Sequence, residues 1–296
     1  MLSCFRRLSF NLAFSLSLSL VLLSINNGYA QAKTFTFTAI PDQDQQQLKQ
    51  RFQKVADYLS KQLGQPVKYI PVKSYAAAIT AFRNNQVQLA WFGGLSGVRA
   101  RQLVPNSIAI AQGAEDQHFI SYFIANHSTG LTPSKTFPMD MTGKTFTFGS
   151  KGSTSGRLMP EFYLRQYFNK SPNDVFKAVG FSGDHTLTIN QVQAGAYQVG
   201  AVNFKVWEKM LAAGKIDLNK VQVIWQTPEY PDYQWTLRGD VNKTFGDNFT
   251  AKVKHALLTL SDADILAQFP RSKFVEASNT DYLPIEKTAK AIGLLR

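Results

Sequence analysis

Residues Phe148-Gly149-Ser150-Lys151-Gly152-Ser153-Thr154-Ser155-Gly156 join an apolar strand end to small hydroxyl residues and glycines, ahead of the helix-like run 157–168. Such a stretch can cradle an oxyanion. Glycines admit close backbone approach, three consecutive hydroxyls donate hydrogen bonds, and the N-terminus of the following helix favours negative charge. The same residues would also serve as a serine-rich helix cap, so the surrounding chain has to decide. A nucleophile is not evident: Thr154 occupies the centre of the would-be Gly-x-Ser-x-Gly elbow. Gly143-Lys144-Thr145 has Pro138 where a nucleotide P-loop needs its first glycine. Paired carboxylates do not stand out, and His118, His127 and His255 lack metal-ligand spacing. The expectation is a binding protein without catalysis, cofactor or metal; a phosphoryl-group hydrolase is the weaker alternative.

Two α/β series must position these residues. Lys33–Ile40 alternates Phe35, Phe37 and Ala39 with threonines, as a strand does. Pro41 and Asp42 open a helix with Leu48, Phe52, Val55, Leu59 and Leu63 on one face, closed by Gly64. A strand at 67–72, a helix capped by Ser74 and a buried strand at 87–92 complete a β-α-β-α-β order. Tyr75 and Gly93–Ser96 fall at strand carboxyl ends, where α/β sheets hold ligands. After one long strand at 119–126, a second series runs through strands at 144–149, 178–181, 198–202 and 221–225. His185, behind Gly183-Asp184, starts one of its helices. Thr227–Tyr233 is a turn-rich crossing into a strand at 234–238, and helical patterns at 245–260 and 284–294 end the chain. The order predicts two lobes, 33–125 with 232–296 and 126–231, joined by two hinge crossings around a cleft that closes on ligand. No internal repeat is visible.

Arg6 and Arg7, the apolar run Leu8–Ile25 and small residues at Gly28, Ala30 and Ala32 predict a signal peptide over residues 1–32, cleaved after Ala30 or Ala32. Cys4 is the only cysteine and lies in that leader, so the mature protein relies on its core without disulfides. The expected location is the periplasm. Lys and Arg number 32 against 20 Asp and Glu. This excess steers anions, while its scatter along the chain argues against a nucleic-acid groove.

Several passages together resemble one family: Tyr75-Ala76-Ala77-Ala78 leading to Ala90-Trp91-Phe92-Gly93, then Gly152–Gly156, Phe181-Ser182-Gly183-Asp184-His185, and Val202-Asn203. The chain resembles the PhnD-like periplasmic solute-binding proteins of phosphonate, phosphite and phosphate ABC importers, over nearly all of its mature length. Thr227–Trp235 resembles a subgroup labelled as selenate transporters. The resemblance implies a type II two-lobed binding fold, a small tetrahedral oxyanion as ligand, an inner-membrane permease as partner, and a monomer. It carries ligand contacts onto Ser153, Thr154, Ser155, Tyr75 and His185, and by weaker alignment onto Tyr122, Asp232 and Tyr233. Asn203 stands where aminophosphonate binders have an acidic residue, which argues against a large aminoalkyl ligand. Gly94 and Gly97 replace a more usual proline and tyrosine. Asp232 could accept a hydrogen bond from a protonated oxyanion such as phosphite, phosphate or methylphosphonate, and so reject selenate and sulfate; it could equally be a turn residue after Pro231. Trp91, Phe92, Tyr233 and Trp235 are candidates for a small apolar wall, Trp91 and Phe92 more naturally for core.

Overall fold

The computed structural model describes residues 33–296; the expected signal peptide and Cys4 lie outside the described residues. Strands β1 (Phe35–Ala39), β2 (Val67–Tyr69), β3 (Leu89–Phe92) and β4 (Ile108–Gly113) are followed by β5 (Ser121–Asn126), β6 (Thr145–Phe148), β7 (Ala178–Phe181), β8 (Val199–Asn203) and β9 (Val221–Gln226), then by β10 (Gln234–Leu237) and β11 (Phe274–Glu276). They form two sheets, ordered β11-β4-β10-β3-β1-β2 and β7-β6-β8-β5-β9. Parallel strands β2, β1 and β3 make one flank of the first sheet, and β10 runs antiparallel to both β3 and β4. The second sheet repeats the plan: β7, β6 and β8 are parallel, and β5 is antiparallel to β8 and β9. The repeat is one of topology, without the internal sequence similarity that would announce it.

Local chemistry explains the element ends. Asp44 accepts from the Gln46 and Gln47 amides at 3.0 Å and starts the helix Gln45–Leu63. The expected opener, Asp42, instead stays at the end of β1, 2% exposed. Leu48, Phe52, Val55 and Leu59 are buried as the 3.6-residue spacing requires, and Gly64 ends the helix at φ 67°. The helix Gly94–Leu103, strands β4 and β11 and the helix Ala263–Gln268 had no expected counterpart.

The lobe boundary moves. The strand assigned by sequence to the first lobe is β5, which pairs with β8 and β9 in the second sheet, so the crossing precedes Ser121 rather than following Ala125. The two crossings meet at Phe119 and Tyr230, whose backbones exchange two 2.9 Å hydrogen bonds. Around the first sheet, Trp91, Trp235, Phe37, Phe52, Phe269 and Phe274 pack in edge-to-face and tilted contacts. Trp91 and Trp235 are therefore core. The second sheet carries separate clusters, one around Phe123, Phe146 and Phe148, the other around Ile124, Ile189 and Val202. Among the described residues no helix is long and apolar enough to cross a membrane.

Candidate functional site

The polar residues singled out by sequence gather at the carboxyl ends of the parallel strands, where loops lead into helices. In the second lobe β6 ends at Phe148 and its loop reaches Ser153, whose Oγ accepts from the Gly156 amide at 2.9 Å. The chain then makes one wide π turn, Thr154–Leu158, before the α-helix Met159–Phe168. Ser155 is 1% exposed, and its Oγ has no partner within the protein. Its carbonyl accepts from Ser121 Oγ at 2.8 Å, and Ser121 in turn hydrogen-bonds the Tyr230 hydroxyl at 2.6 Å.

His185 is the first residue of the helix His185–Gln193, which Asp184 caps by accepting from the Leu187 amide. It packs against the hydroxyl loop so closely that a Cβ at Gly156 would lie 2.9 Å from its Cε1. The Asn203 amide donates to His185 Nδ1 at 3.3 Å, which assigns the ring proton to Nε2. Nε2 is buried and unpartnered. Burial pushes the imidazole down to about 4, against a smaller opposing pull from Asp42. His185 is thus a neutral N–H donor at neutral pH.

The first-lobe half is built from distant positions. Tyr75 opens the helix Tyr75–Arg83 behind its cap Ser74 and is 3% exposed. Burial, with Asp42 adding to it, raises its phenol well above the ordinary value, so it stays protonated. Asp232, 1% exposed, accepts from the Gly94 amide at 2.9 Å through Oδ1 and leaves Oδ2 unpartnered. A proline at position 94 would have no N–H to give. Burial raises Asp232 to about 7, against a smaller opposing pull from the Gly94 amide. The Tyr233 ring stacks on Trp91, and its hydroxyl donates to Asp42 Oδ2 at 2.8 Å.

The halves touch directly. The His185 amide donates to the Asp42 carbonyl at 3.0 Å, Asn203 Nδ2 to the Tyr233 hydroxyl at 3.0 Å, and the Leu95 amide to Thr154 Oγ1 at 3.0 Å. Gly152 lies on Tyr75, where an added Cβ would stand 3.1 Å from the Tyr75 Cβ. Outside this contact a cleft of about 570 Å³ opens between the lobes, lined by Lys73, Lys151, Phe181 and Asp184 among others.

Of the nine residues expected at the site, Tyr75, Ser153, Thr154, Ser155, His185 and Asp232 converge. Asn203 and Tyr233 adjoin them as a pair whose polar atoms are engaged: Asn203 Oδ1 caps the helix Phe204–Ala212 through the Lys205 and Val206 amides. Tyr122 does not join them. It is half-buried against Phe204, with Glu208 nearby, because side chains alternate along β5 and its neighbour Ser121 takes the inward position. Asp42, Ser121 and Tyr230 were missed. Asp42 had a signal in its place at the end of the first strand, which its reading as a helix opener obscured; Ser121 and Tyr230 had none.

Comparison with known proteins agrees with this fold. Residues 37–282 match a family model described as ABC transporter, phosphonate, periplasmic substrate-binding protein. The chain is 41% identical over 256 residues to a probable ABC transporter phosphite binding protein, PhnD1, of Prochlorococcus marinus, covering 84% of this chain and 86% of the relative. It is 26% identical to the phosphonates-binding periplasmic protein of Escherichia coli, over 82% of this chain and 72% of that one. The structure of the Prochlorococcus PhnD1 in complex with methylphosphonate superposes with a TM-score of 0.84 at 40% identity, over 89% of this chain and 99% of that one. A Pseudomonas aeruginosa phosphonate-transporter binding protein shares the fold at a TM-score of 0.76 and 23% identity, over 87% of this chain and 85% of that one. Two sheets of one plan, six expected polar residues gathered between them and a family match across both lobes lead to one conclusion: this chain belongs to the periplasmic substrate-binding proteins of phosphonate ABC transporters.

Proposed function

We propose that the protein captures a small tetrahedral phosphorus oxyanion (phosphite, methylphosphonate or phosphate) between its lobes and delivers it to an inner-membrane permease. In this reading it is exported by its N-terminal leader and works as a monomer that binds without catalysis. One observation carries the ligand class: three of the buried, unpartnered polar atoms in the segments that converge between the lobes are Ser155 Oγ, His185 Nε2 and Asp232 Oδ2, with Asp42 Oδ1 a further one. Buried polar atoms in native proteins have partners; here two are donors and one is a carboxylate oxygen. A monohydrogen oxyanion satisfies all three at once, accepting from Ser155 and His185 and donating its own proton to Asp232. Tyr75 and the Ser153 and Thr154 hydroxyls complete the cradle, and Asn203 and Tyr233 tie its two halves together. The relatives support this, since PhnD1 is described as a phosphite binder and its structure holds methylphosphonate.

Selenate and sulfate carry no proton near neutrality and would set charge against the Asp232 carboxylate. Thermal unfolding in the presence of each anion tests the reading, because a ligand that binds only the folded protein raises its melting temperature. Phosphite, methylphosphonate or phosphate should raise it by several degrees, and selenate and sulfate by less. No shift with any phosphorus oxyanion would overturn the ligand class.

A further inference from the structure

The helix Gly94–Leu103 begins at the site and has no cap of its own: its N-cap residue is Gly93, without a side chain to turn back on the first amides. Its first two amides are nevertheless satisfied from elsewhere. The Gly94 amide donates to Asp232 Oδ1 at 2.9 Å, and Asp232 belongs to the same lobe. The Leu95 amide, one of those a Ser or Asp cap ordinarily takes, donates to Thr154 Oγ1 at 3.0 Å, and Thr154 belongs to the other lobe. Gly93 is the residue that permits this. A Cβ there would lie 3.0 Å from Asp232 Oδ1 and 3.2 Å from Thr154 Oγ1, so a self-capping side chain would occupy the space through which the two outside groups arrive.

We infer that Thr154 is a positioning residue for closure: its hydroxyl completes the first-lobe helix Gly94–Leu103 only when the lobes meet, so that lobe closure and helix capping are one event. The inference rests on the reading of the protein as a binding protein that closes on its ligand. Leu95 is fully buried, and with the lobes apart its amide would turn to water; with them together and no acceptor at 154, it would be stranded, which proteins avoid. The contact therefore raises the closed population, and a ligand that binds only the closed form gains apparent affinity in proportion. The Thr154 O–H remains free to donate to the anion or to Asp232, so one hydroxyl joins ligand, carboxylate and helix.

Two variants separate the roles. Thr154→Val keeps the shape and removes the acceptor, and Thr154→Ser restores it. With methylphosphonate as probe, calorimetry should show Thr154→Val binding about five- to tenfold more weakly, the range typical of a lost cap, and Thr154→Ser within about threefold of wild type. Amide hydrogen exchange supplies the readout a simple ligand contact would not move. At saturating methylphosphonate the Leu95 amide should exchange at least about tenfold faster in Thr154→Val than in wild type or Thr154→Ser. The Gly94 amide, held by Asp232, should exchange alike in all three. Equal Leu95 protection in wild type and Thr154→Val overturns the inference, whatever the affinities. Should wild type bind no phosphorus oxyanion, the functional reading fails separately. The same Leu95 comparison on unliganded protein, with a smaller difference expected, then decides the role of Thr154.

Discussion

The two lobes share one strand plan yet give the site opposite chemistries. In each, the second parallel strand leads to a capped helix whose first residue enters the site: Tyr75 behind Ser74 after β2, and His185 behind Asp184 after β7. In each, the third parallel strand ends at an N-cap, Gly93 after β3 and Asn203 after β8. The second lobe fills these places with neutral donors, the Ser153–Ser155 hydroxyls and the Nε2 proton of His185. The first lobe contributes buried carboxylates, Asp42 and Asp232, beside the Tyr75 phenol. The architecture supplies helix N-termini in duplicate, and the side chains divide the labour into a donor wall and an acceptor wall. The proposed ligand, an anion that still carries a proton, would match both walls at once.

The largest expected difference between the walls is in what supports them. The Asp232 amide donates to the Asp116 carbonyl, and the Asp116 carboxylate, fully buried, is held by both Nε and Nη2 of Arg271 at 2.8 and 2.6 Å. Arg271→Met strands that carboxylate and should cost about 3–5 kcal/mol in urea unfolding. In the second lobe Glu161 pairs with both Arg157, which also donates to the Lys151 carbonyl of the hydroxyl loop at 3.1 Å, and Arg165, the latter 39% exposed. Arg165→Met leaves Glu161 its second partner and should cost under about 1 kcal/mol. Equal losses would show that the acceptor wall has no special dependence on its buried pair.

A smaller effect separates residues proposed to face the ligand from those that only adjoin the site. Ser155 Oγ has no partner inside the protein, so Ser155→Ala should leave the unfolding midpoint nearly unchanged. It should weaken phosphite binding by roughly 10–100-fold, the worth of a hydrogen bond to a charged group. Tyr122→Phe, on the outward side of β5, should bind within about twofold of wild type. A loss at Tyr122 comparable to that at Ser155 would return it to the site.

Local sequence chemistry announces the residues of the donor wall, whereas in the acceptor wall Asp42 was missed and Asp232 and Tyr233 came only from a weaker family alignment, for a physical reason. Ser153, Thr154 and Ser155 are consecutive, and His185 follows a Gly-Asp turn, so local chemistry announces them. Asp42 and Tyr233 are 191 residues apart and meet only because the chain returns through β10 to lie beside β3. The strand at 119–126 was read correctly as a strand and placed in the wrong lobe. Alternation tells which residues share a face, while the choice of partner sheet depends on a crossing that leaves no local mark. That same strand misled the reading of Tyr122, because its register decides that Ser121 points inward. The cap on Leu95 was invisible too, since a glycine at Gly93 gives no hint that its helix is capped from the other lobe.

The finest contrast concerns how each wall responds to pH, and here Asp232 and His185 pull in opposite directions. Burial places Asp232 at about 7, above its ordinary 3.8. Between those values the folded protein holds a proton that the unfolded chain releases, so this group makes stability fall as pH rises from about 4 to about 7. His185 at about 4, below its ordinary 6.5, makes stability rise over nearly the same window, because the unfolded chain binds the extra proton. Asp232→Asn removes the first contribution only, so its stability relative to wild type should increase from pH 4.5 to pH 7.5 in urea unfolding. The same substitution tests discrimination. Wild type can take a fully deprotonated anion such as selenate only with Asp232 protonated. Its selenate affinity should therefore fall about tenfold per pH unit above about 7, whereas that of Asp232→Asn should stay nearly flat. Equal slopes for the two proteins would mean that the carboxylate does not face the anion, and the acceptor wall would lose its role in selection.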